Sequence, residues 1–361
     1  MVRRPRASSG CCSAGLDRKD LVEVRALTTE TMDWDAFVRS TPGGSPFHLL
    51  AWKRAVESTF GHRSHYLLAV HGGAVTGVLP LFEVKGLLGG RGLVSVPYGV
   101  YGGVCASSPV AATALVEAAG DLARRRGAGY VELRHRPGRE MDLPTKALYV
   151  TFSRPISTSE QENLNDIPRK QRRMTRQGLK HGLRAEFGLR HLDRFWAIYA
   201  HSVHALGSPV FPRRLFHSIA QEFGKDCELL TIWKDDRPVA GVLTLFFEDQ
   251  ALPYYGGALR DALPLAVNDF MYWELLCHVA KAGYRTFDFG RSREGTGAYH
   301  FKRHWGFEPV ALPYQYVLRD GSRMPDLSPS NPKMRLAVDA WKRLPLALTK
   351  AIGPRLTRYL P

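Results

Sequence analysis

The stretch TFDFGRSREGTGAYHFKRHWGFEPV, residues 286–310, organises the interpretation of the whole chain. Apolar and polar side chains alternate over residues 286–289, which predicts a strand that ends at Gly290. Three segments follow: a polar loop at 291–297 with two arginines and two glycines, a short aromatic and basic turn at 298–305, and a strand-like run at 307–310. Cations and backbone N–H groups at the end of a strand can hold an anion. The pattern therefore predicts an anion site, with a solvated loop between two strands as the alternative.

Length and charge limit the classes of protein to consider. A chain of 361 residues with 44% hydrophobic residues is long enough for two domains or one large domain. Its net charge of +16 favours partners that carry phosphate or other anionic groups. Nucleotide-linked substrates, RNA and anionic lipid all have this property, and we expect no DNA partner.

Cysteine usage and hydropathy indicate a compartment. The chain has five cysteines and no CxxC pair. Cys277 lies in a helical pattern and Cys227 beside a strand, so we expect buried thiols in a reducing compartment. The N-terminal residues lack the apolar core of a signal peptide, and no run approaches the roughly 18 apolar residues of a membrane span. These features predict a cytoplasmic protein.

Two segments of the chain repeat the same order of elements. The core sequences LLAV…VTGVLPL (67–81) and LLTI…VAGVLTL (229–245) can be laid over one another, each as an antiparallel hairpin. A Gly-rich aromatic stretch follows each hairpin, VPYGVYGG (96–103) and ALPYYGGAL (251–259). Glycine within a strand often marks a bulge, and a bulge can separate two strands and open a slot for a ligand. In each copy a helix and an AGY-containing strand come next, at 111–134 and 268–290.

The repeat predicts an α/β fold, of the α+β type with mixed sheets, in two copies of one domain. We expect a disordered N-terminus, two domains of which the second holds the main site, and a basic amphipathic tail, at residues 1–20, 21–155, 156–325 and 326–361. Two entry helices are expected at 31–39, capped by Thr31, and at 49–60.

A basic segment joins the two copies. Residues 163–184, NLNDIPRKQRRMTRQGLKHGLR, contain one aspartate among many cations. If a helix starts at Pro168, four cations share one face. They are Arg169, Arg173, Arg176 and Lys180. This face, with Lys170 beside it, binds a polyanion or is simply a solvated surface.

The tail at 331–361 is also basic and amphipathic, with Trp341 and several leucines. It is expected either to lie on an anionic membrane surface or to pack back on the domain, and packing is favoured.

Several catalytic motifs are absent or incomplete. His300 and His304 have metal-ligand spacing, but Lys302 lies between them and the HExxH pattern is missing, so we expect no metal. GxSxG, GxGxxG and the P-loop pattern do not occur. The pyrophosphate-binding pattern R/Q-x-x-G-x-G/A of acetyl-CoA-dependent GNAT enzymes matches RRRGAG at 124–129, but there it ends a helix and enters a strand. REGTG at 293–297 is a near match in a better context, and neither string is a convincing CoA site.

The candidate catalytic residues surround the glycine-rich loop. Lys302, between aromatic residues, can supply the fixed positive charge that an oxyanion or phosphate requires. Arg291 and Ser292 can bind the same anion. Asp288, at the strand end, can orient a cation or an attacking amine, or can pair with Arg291. Tyr254, Tyr255 and Asn268 come from neighbouring elements and complete a polar pocket.

These residues resemble those of the FemAB/FemX-like aminoacyltransferases. The resemblance extends over roughly residues 21–320 and lies in the repeat and in four motifs: PYYGG (253–257), Asn268 before an aromatic helix, FDFGRS (287–292) and FKRHWGFEP (301–309). It is closer still to a subgroup associated with exosortase/PEP-CTERM exopolysaccharide loci. No heptad run follows the basic segment, so the chain is similar to the members that lack a coiled-coil arm.

The resemblance implies a function and a set of site residues. It implies two tandem GNAT-like acyltransferase domains and transfer of an amino acid from aminoacyl-tRNA to an amine on a peptidoglycan precursor. The family's motif lysine falls on Lys302. A first-domain aromatic–lysine pair falls on Trp52 and Lys53, and in the family such cations contact the phosphates of the precursor.

Three hypotheses follow. The first is an amide-forming acyltransferase, with no tightly bound cofactor, that uses an aminoacyl-tRNA donor and a nucleotide- or lipid-linked amine acceptor of the cell envelope or of exopolysaccharide synthesis. The second keeps the fold and uses acyl-CoA. The third is a non-catalytic protein at the membrane surface of a polysaccharide-export system.

Overall fold

The computed structural model describes residues 22–30, 32–86, 90–319, 321, 324–325 and 332–360. Two expectations, the disordered N-terminus at 1–20 and the cap at Thr31, lie outside these residues.

Within this described part the chain forms alternating strands and helices. The strands are β1 (Glu23–Ala26), β2 (Arg63–Ser64), β3 (Leu67–His71), β4 (Ala74–Leu79), β5 (Phe82–Lys85), β6 (Arg91–Ser95), β7 (Cys105–Ala106), β8 (Tyr130–Arg134), β9 (Thr145–Pro155), β10 (Leu183–Phe187), β11 (Cys227–Lys234), β12 (Arg237–Phe247), β13 (Gln250–Ala258), β14 (Thr286–Arg293) and β15 (Val310–Leu318). The helices are α1 (Met32–Ser40), α2 (Leu50–Phe60), α3 (Pro109–Arg126), α4 (Glu160–Asp166), α5 (Arg169–Lys180), α6 (Leu192–Leu206), α7 (Arg213–Phe223), α8 (Val267–Lys281), α9 (Gly297–His304), α10 (Pro332–Arg343) and α11 (Leu346–Thr357).

The strands form a small sheet and a large one. The small sheet has the order β1-β3-β4-β7, and the large sheet has the order β10-β11-β12-β13-β14-β9-β15-β8-β6-β5-β2. Side chains that alternate along β12 enter different hydrophobic clusters, Leu243 with α6 and α7 and Val242 with α8. The second copy is therefore a sheet covered by helices on both faces.

The pairing pattern confirms the sequence repeat. β1 pairs with β3 and β3 with β4, as β10 pairs with β11 and β11 with β12, all antiparallel. Each copy also contains one parallel pair, β6 with β8 and β13 with β14. The copies differ at Pro80. In the first copy this proline lies between β4 and β5, where the second copy has the single long strand β12. Proline cannot donate to a ladder, and β4 and β5 accordingly belong to different sheets.

The last strands of the two copies are exchanged. β9, from the end of the first copy, pairs with β14 of the second. β15, from the end of the second copy, pairs with β8 of the first, and β9 and β15 pair with each other. The two copies therefore share one continuous sheet, with the exchanged strands at its centre.

Three local predictions in the segment 286–310 were wrong. The strand does not end at Gly290 but continues to Arg293, with a register shift between Asp288 and Gly290. Gly290 has a φ of +63°, which glycine adopts without strain, so a bulge replaces the expected break. Residues 298–305 form most of a helix rather than a turn, because the Thr296 side chain accepts a hydrogen bond from the Tyr299 amide and caps it. The following strand begins only at Val310.

The C-terminal helices pack back on the domain, as favoured from the sequence. The His204 ring bonds the carbonyl of Leu344 at 3.0 Å, and the Lys350 ammonium lies 4.9 Å from the centre of the Trp196 ring. Gly353 lies so close to Val210 that a Cβ there would meet its backbone nitrogen at 2.9 Å. These contacts place α10 and α11 on α6 and on the loop that follows it.

The described cysteines match the expectation of buried thiols only in part. Cys105, Cys227 and Cys277 are free thiols; the first two are buried and the third is half-buried. Cys11 and Cys12 lie outside the described residues.

His48 is buried in the first copy and makes a hydrogen bond with each ring nitrogen. Its Nε2 lies 2.8 Å from the Gly103 carbonyl and its Nδ1 2.8 Å from the Ser45 hydroxyl. A carbonyl can only accept, so the neutral ring carries its proton on Nε2 and accepts from Ser45 at Nδ1. Burial lowers the pKa of His48 from 6.5 to about 4.

We expect His48 to make the free energy of unfolding fall as the pH drops from 6.5 to 4. In that window the unfolded chain binds a proton that the folded protein rejects, and the full effect is roughly 3 kcal/mol. Urea unfolding at pH 7 and pH 5 should show a smaller pH dependence for His48→Gln than for the wild type. His71→Gln, at the exposed end of β3, is the control. Equal pH dependence in all three proteins would contradict the assignment.

Candidate functional site

The two parallel strands of the second copy separate soon after they meet. β13 and β14 pair only at Gln250 with Thr286 and at Ala251 with Phe287. Beyond these pairs lies a cavity of about 260 Å³. Its lining residues include Tyr98, Val100, Tyr199, Phe211, Tyr254, Tyr255, Gly290, Arg291 and Leu360. The expected slot beside a glycine-rich strand is therefore present, and we call it the strand-gap cavity.

A second, larger cavity adjoins the first. It measures about 360 Å³ and is lined by charged and tyrosine side chains from the exchanged strands and their neighbours. They include Glu132, Arg134, Lys146, Tyr149, Tyr314 and Tyr316. Arg291, Phe211 and Leu360 line both cavities. Arg291 therefore lies where the seam cavity, as we call this second space, meets the strand-gap cavity.

Arg291 is held by tyrosines rather than by a carboxylate. Its Nη1 donates to the Tyr314 hydroxyl at 2.9 Å, and its guanidinium lies 4.7 Å from the centre of the Tyr149 ring. Tyr314 in turn donates to the carbonyl of Val100. Among the described residues no carboxylate oxygen lies within 4 Å of the guanidinium. The pairing of Asp288 with Arg291 that the sequence left open is thus not formed, and the guanidinium keeps donors for an anion.

Lys302 binds backbone carbonyls. Its ammonium donates to the carbonyl oxygens of Phe289, Gly290 and Arg291 at 2.7, 3.0 and 3.2 Å. These contacts use all three of its donors. Burial lowers the pKa of Lys302 to about 7, and the nearby Asp288 carboxylate opposes that shift. A direct contact between Lys302 and a substrate anion stays a prediction, and would require one of these hydrogen bonds to be exchanged.

Asp288 holds the same bulge from its other side. One carboxylate oxygen accepts from the Gly290 amide at 2.7 Å and the other from the Tyr101 hydroxyl at 2.9 Å. Tyr101 accepts in turn from the Thr151 hydroxyl at 2.5 Å. Burial raises the pKa of Asp288. Asp288 and Lys302 thus fix the amide and the carbonyls of the backbone that carries Arg291.

The other expected pocket residues take different positions. Tyr254 and Tyr255 line the strand-gap cavity; Tyr254 donates to the Tyr98 carbonyl, and the Tyr255 hydroxyl is buried with no partner among the described residues. Ser292 follows Arg291 in a strand, so the two side chains project to opposite faces. Its hydroxyl is buried and likewise unpartnered. Asn268 is half-buried in the first turn of α8.

Lys53 lies on α2, where its ammonium binds Glu30 at 2.7 Å and Glu57 at 3.0 Å. The neighbouring Trp52 is buried, with its ring 6.0 Å from that of Tyr254. The two residues of this pair therefore face different surroundings, and a phosphate contact by Lys53 stays a prediction.

The basic segment forms helix α5 with one polar and one buried face. Gln171, Thr175 and Gly178 are buried, and Gly178 lies against the Phe270 ring of α8. The cations occupy the other side and surround a groove of about 460 Å³. They are Arg169, Arg172, Arg173, Arg176 and Lys180, with Lys170 exposed beside them. No acidic group of the described residues lies within 4 Å of them.

Several site residues were not found from the sequence. Tyr149 and Tyr314 reach Arg291 only through the exchange of β9 and β15, which has no local signal. Tyr98 belongs to the repeated aromatic stretch and could have been found by the analogy with Tyr254.

The histidine pair and the RRRGAG string both lie within the described residues. The rings of His300 and His304 lie 6.5 Å apart, and no cluster of three or more His, Cys, Asp or Glu side chains suits a metal ion. RRRGAG ends α3 and precedes β8, as expected. None of the helices described is both long and apolar enough to cross a membrane.

Comparisons with known proteins identify the fold. The sequence family described as "Acetyltransferase (GNAT) domain" matches residues 161–303. The crystal structure of FemX is similar with a TM-score of 0.63 at 17% identity, covering 81% of this chain and 97% of FemX. A tandem GNAT protein from the clavulanic acid biosynthesis pathway has a TM-score of 0.51 at 12% identity, with 84% and 100% covered. No curated protein sequence matches significantly.

A third structure belongs to a different kind of protein. The C-terminal domain of a putative lysylphosphatidylglycerol synthetase from Agrobacterium fabrum has a TM-score of 0.54 at 14% identity, covering 80% of this chain and 90% of that domain. At these identities the likeness establishes the fold alone. The chain has the fold of two tandem GNAT-like acyltransferase domains. We call the strand-gap and seam cavities together the cleft.

We expect Lys302→Met to lower the free energy of unfolding by roughly 1–3 kcal/mol, because it leaves buried carbonyls without donors. Denaturant unfolding measures the loss, and hydrogen exchange of a peptide containing residues 286–293 should show faster opening of the bulge. Arg303→Met, exposed on the same helix, is the control. If both variants matched the wild type in stability and exchange, Lys302 would not hold the bulge.

Proposed function

We propose that the protein is an amide-forming acyltransferase whose reaction takes place where the strand-gap and seam cavities meet. The observation that carries the proposal is Arg291: a guanidinium without a carboxylate partner among the described residues, at the junction of two cavities, beside two separating strands. A fixed positive charge beside the reacting group stabilises negative charge as it develops during acyl transfer.

The proposed reaction is an attack by an amine on an activated acyl group. The amine nitrogen forms a bond to the acyl carbonyl carbon, and the carbonyl oxygen becomes an oxyanion that Arg291 stabilises. The bond from carbon to the leaving group then breaks, and the leaving oxygen or sulfur receives the proton that the nitrogen loses. Lys302 and Asp288 hold the backbone of Arg291 in place, and Tyr254 and Tyr255 line the space for the acyl group.

The donor we favour is aminoacyl-tRNA, as in the FemAB-like proteins that the sequence resembles. The cationic face of α5 supports this choice, because its exposed arginines have no acidic partners among the described residues and RNA supplies phosphates. The acceptor is then an amine of a cell-envelope or exopolysaccharide precursor. Peripheral contact with an anionic inner membrane and membership of the PEP-CTERM-associated subgroup belong to the same proposal.

The second candidate is an N-acetyltransferase that uses acyl-CoA. The match of residues 161–303 to a GNAT acetyltransferase domain favours it. Against it, no glycine-rich pyrophosphate loop leads into α8, the helix that follows the separated strand: its first turn is preceded by a short 3-10 helix with Pro264 inside. Glycine is what allows a backbone to approach a pyrophosphate closely.

The donor is tested by titrating charged tRNA, uncharged tRNA and acetyl-CoA side by side, followed by transfer to a soluble amine. We expect charged tRNA to bind in preference to uncharged tRNA, and Arg291→Met to lower the transfer rate by roughly 100-fold because the oxyanion loses its cation. Arg285→Met, exposed at the start of β14, should keep wild-type activity.

Two results would decide against parts of this proposal. Saturable binding of acetyl-CoA, with tRNA binding that ignores charging, would favour the second candidate. An Arg291→Met rate within a few-fold of the wild type would remove Arg291 from the reaction.

The α5 face makes a separate prediction about salt. Each phosphate contact contributes close to one unit to the slope of log affinity against log salt concentration. Arg173→Gln and Arg176→Gln should each weaken tRNA binding and reduce that slope by about 1. Arg214→Gln, exposed on α7, is the matched control. Unchanged slopes in both α5 variants would show that RNA binds elsewhere.

A further inference from the structure

The last residue of α11 and the residues that follow it contribute to the wall of the cleft. Leu360 lines both the strand-gap cavity and the seam cavity, and Thr357 lines the latter. The tyrosines around the strand-gap cavity belong to the packed aromatic core, in which Tyr199 and Tyr255 contact each other and Phe216. Leu360 is instead half-buried and reaches the cavity from the turn that follows α11.

Specific hydrogen bonds hold this wall in place. The Tyr98 hydroxyl donates to the carbonyl of Thr357 at 3.2 Å, and the His62 ring lies 2.8 Å from the same hydroxyl. Because Tyr98 has one hydroxyl proton, His62 donates to it through Nε2. Arg358 adds a bond to the Phe60 carbonyl at 3.3 Å. The position of Leu360 is thus tied to the first copy of the domain.

The wall is also connected to the proposed acyl site. Tyr254 donates its hydroxyl proton to the carbonyl of Tyr98, the residue that holds Thr357. Together with the close approach of Gly353 to Val210, this fixes α11 beside the cavity.

The volume that remains is small. At about 260 Å³ the strand-gap cavity falls below the roughly 300–1,000 Å³ of pockets that hold drug-sized ligands. A short acyl group, such as acetyl or a small aminoacyl group, fits within the strand-gap cavity, and a long fatty acyl chain would extend beyond it.

We propose that Leu360 is a specificity-determining residue: its side chain forms the part of the wall that restricts the strand-gap cavity to short acyl groups. The inference rests on the proposed function for its choice of substrate, an acyl group, but the role of Leu360 in setting the cavity size does not depend on any donor. The two parts can therefore be tested separately.

The first experiment measures the size of the cavity without a substrate. Val100, which is buried and lines the strand-gap cavity, is replaced in Val100→Cys. Its reaction with methyl methanethiosulfonate and with the bulkier benzyl methanethiosulfonate is followed by mass spectrometry of the peptide that contains residue 100. We expect the benzyl reagent to react at least about tenfold more slowly than the methyl reagent, a difference of about 1.4 kcal/mol in activation free energy.

Adding Leu360→Ala should raise the benzyl rate by about tenfold and leave the methyl rate within about twofold, because only the wall has been shortened. Leu348→Ala, on the exposed face of α11, should change neither rate, and equal melting temperatures for the variants would exclude general unfolding. If Leu360→Ala left the ratio of the two rates unchanged, or if the benzyl reagent already reacted as fast as the methyl reagent, the proposal would be overturned.

The second experiment tests the substrate. With glycyl-tRNA and phenylalanyl-tRNA as donors, and acetyl-CoA and decanoyl-CoA as a parallel pair, the wild type should prefer the smaller acyl group of each pair. Leu360→Ala should reduce that preference. If Leu360→Ala changed the thiol-labelling rates but no donor supported transfer, the proposed function would be refuted and the role of Leu360 in cavity size would stand. If transfer occurred without a preference for the smaller acyl group, the role of Leu360 in specificity would be refuted and the proposed function would stand.

Discussion

The contact between the Lys302 ammonium and three successive carbonyls is the constraint on which the cleft depends. A strand that contains a bulge has backbone groups without ladder partners, and buried carbonyls without donors are costly. Lys302 supplies the donors, and Asp288 accepts from the Gly290 amide. Because both polar sides of the bulge are satisfied, β14 can leave β13 and still hold Arg291 in one orientation.

The exchange of β9 and β15 gives that arginine its surroundings. Tyr149 comes from the end of the first copy and Tyr314 from the end of the second, and both contact the Arg291 guanidinium. Neither copy alone would assemble this arrangement. A half-buried cation surrounded by tyrosine rings and hydroxyls is stabilised without being neutralised, which leaves its charge available to an anion in the cleft.

Local patterns allowed most of the elements to be predicted. The hairpins, the helices at α2, α3, α5 and α8, and the repeat all follow from periodicity and turn residues. The residues near Gly290 were proposed as a site because glycine and arginine together are unusual at a strand end. The contacts that could not be predicted are non-local. Lys302 donates to backbone carbonyls instead of facing solvent, and Tyr149 and Tyr314 come from strands more than 150 residues apart in sequence. The continuation of β14 through Gly290 was missed because a bulge and a break have the same sequence signal.

The shared sheet determines which fragment of this chain can form the cleft. The segment that matches a GNAT domain by sequence, residues 161–303, begins after β9 and stops before β15. Cut out along those limits, it would lose the β9 partner of β14, and an exposed edge of that kind pairs readily with other chains. The boundaries of the sequence match therefore cut through a sheet whose hydrogen bonds are continuous. The smallest fragment that can form this cleft contains both copies. Because residues of both copies line the cleft, selection on one copy depends on the residues of the other.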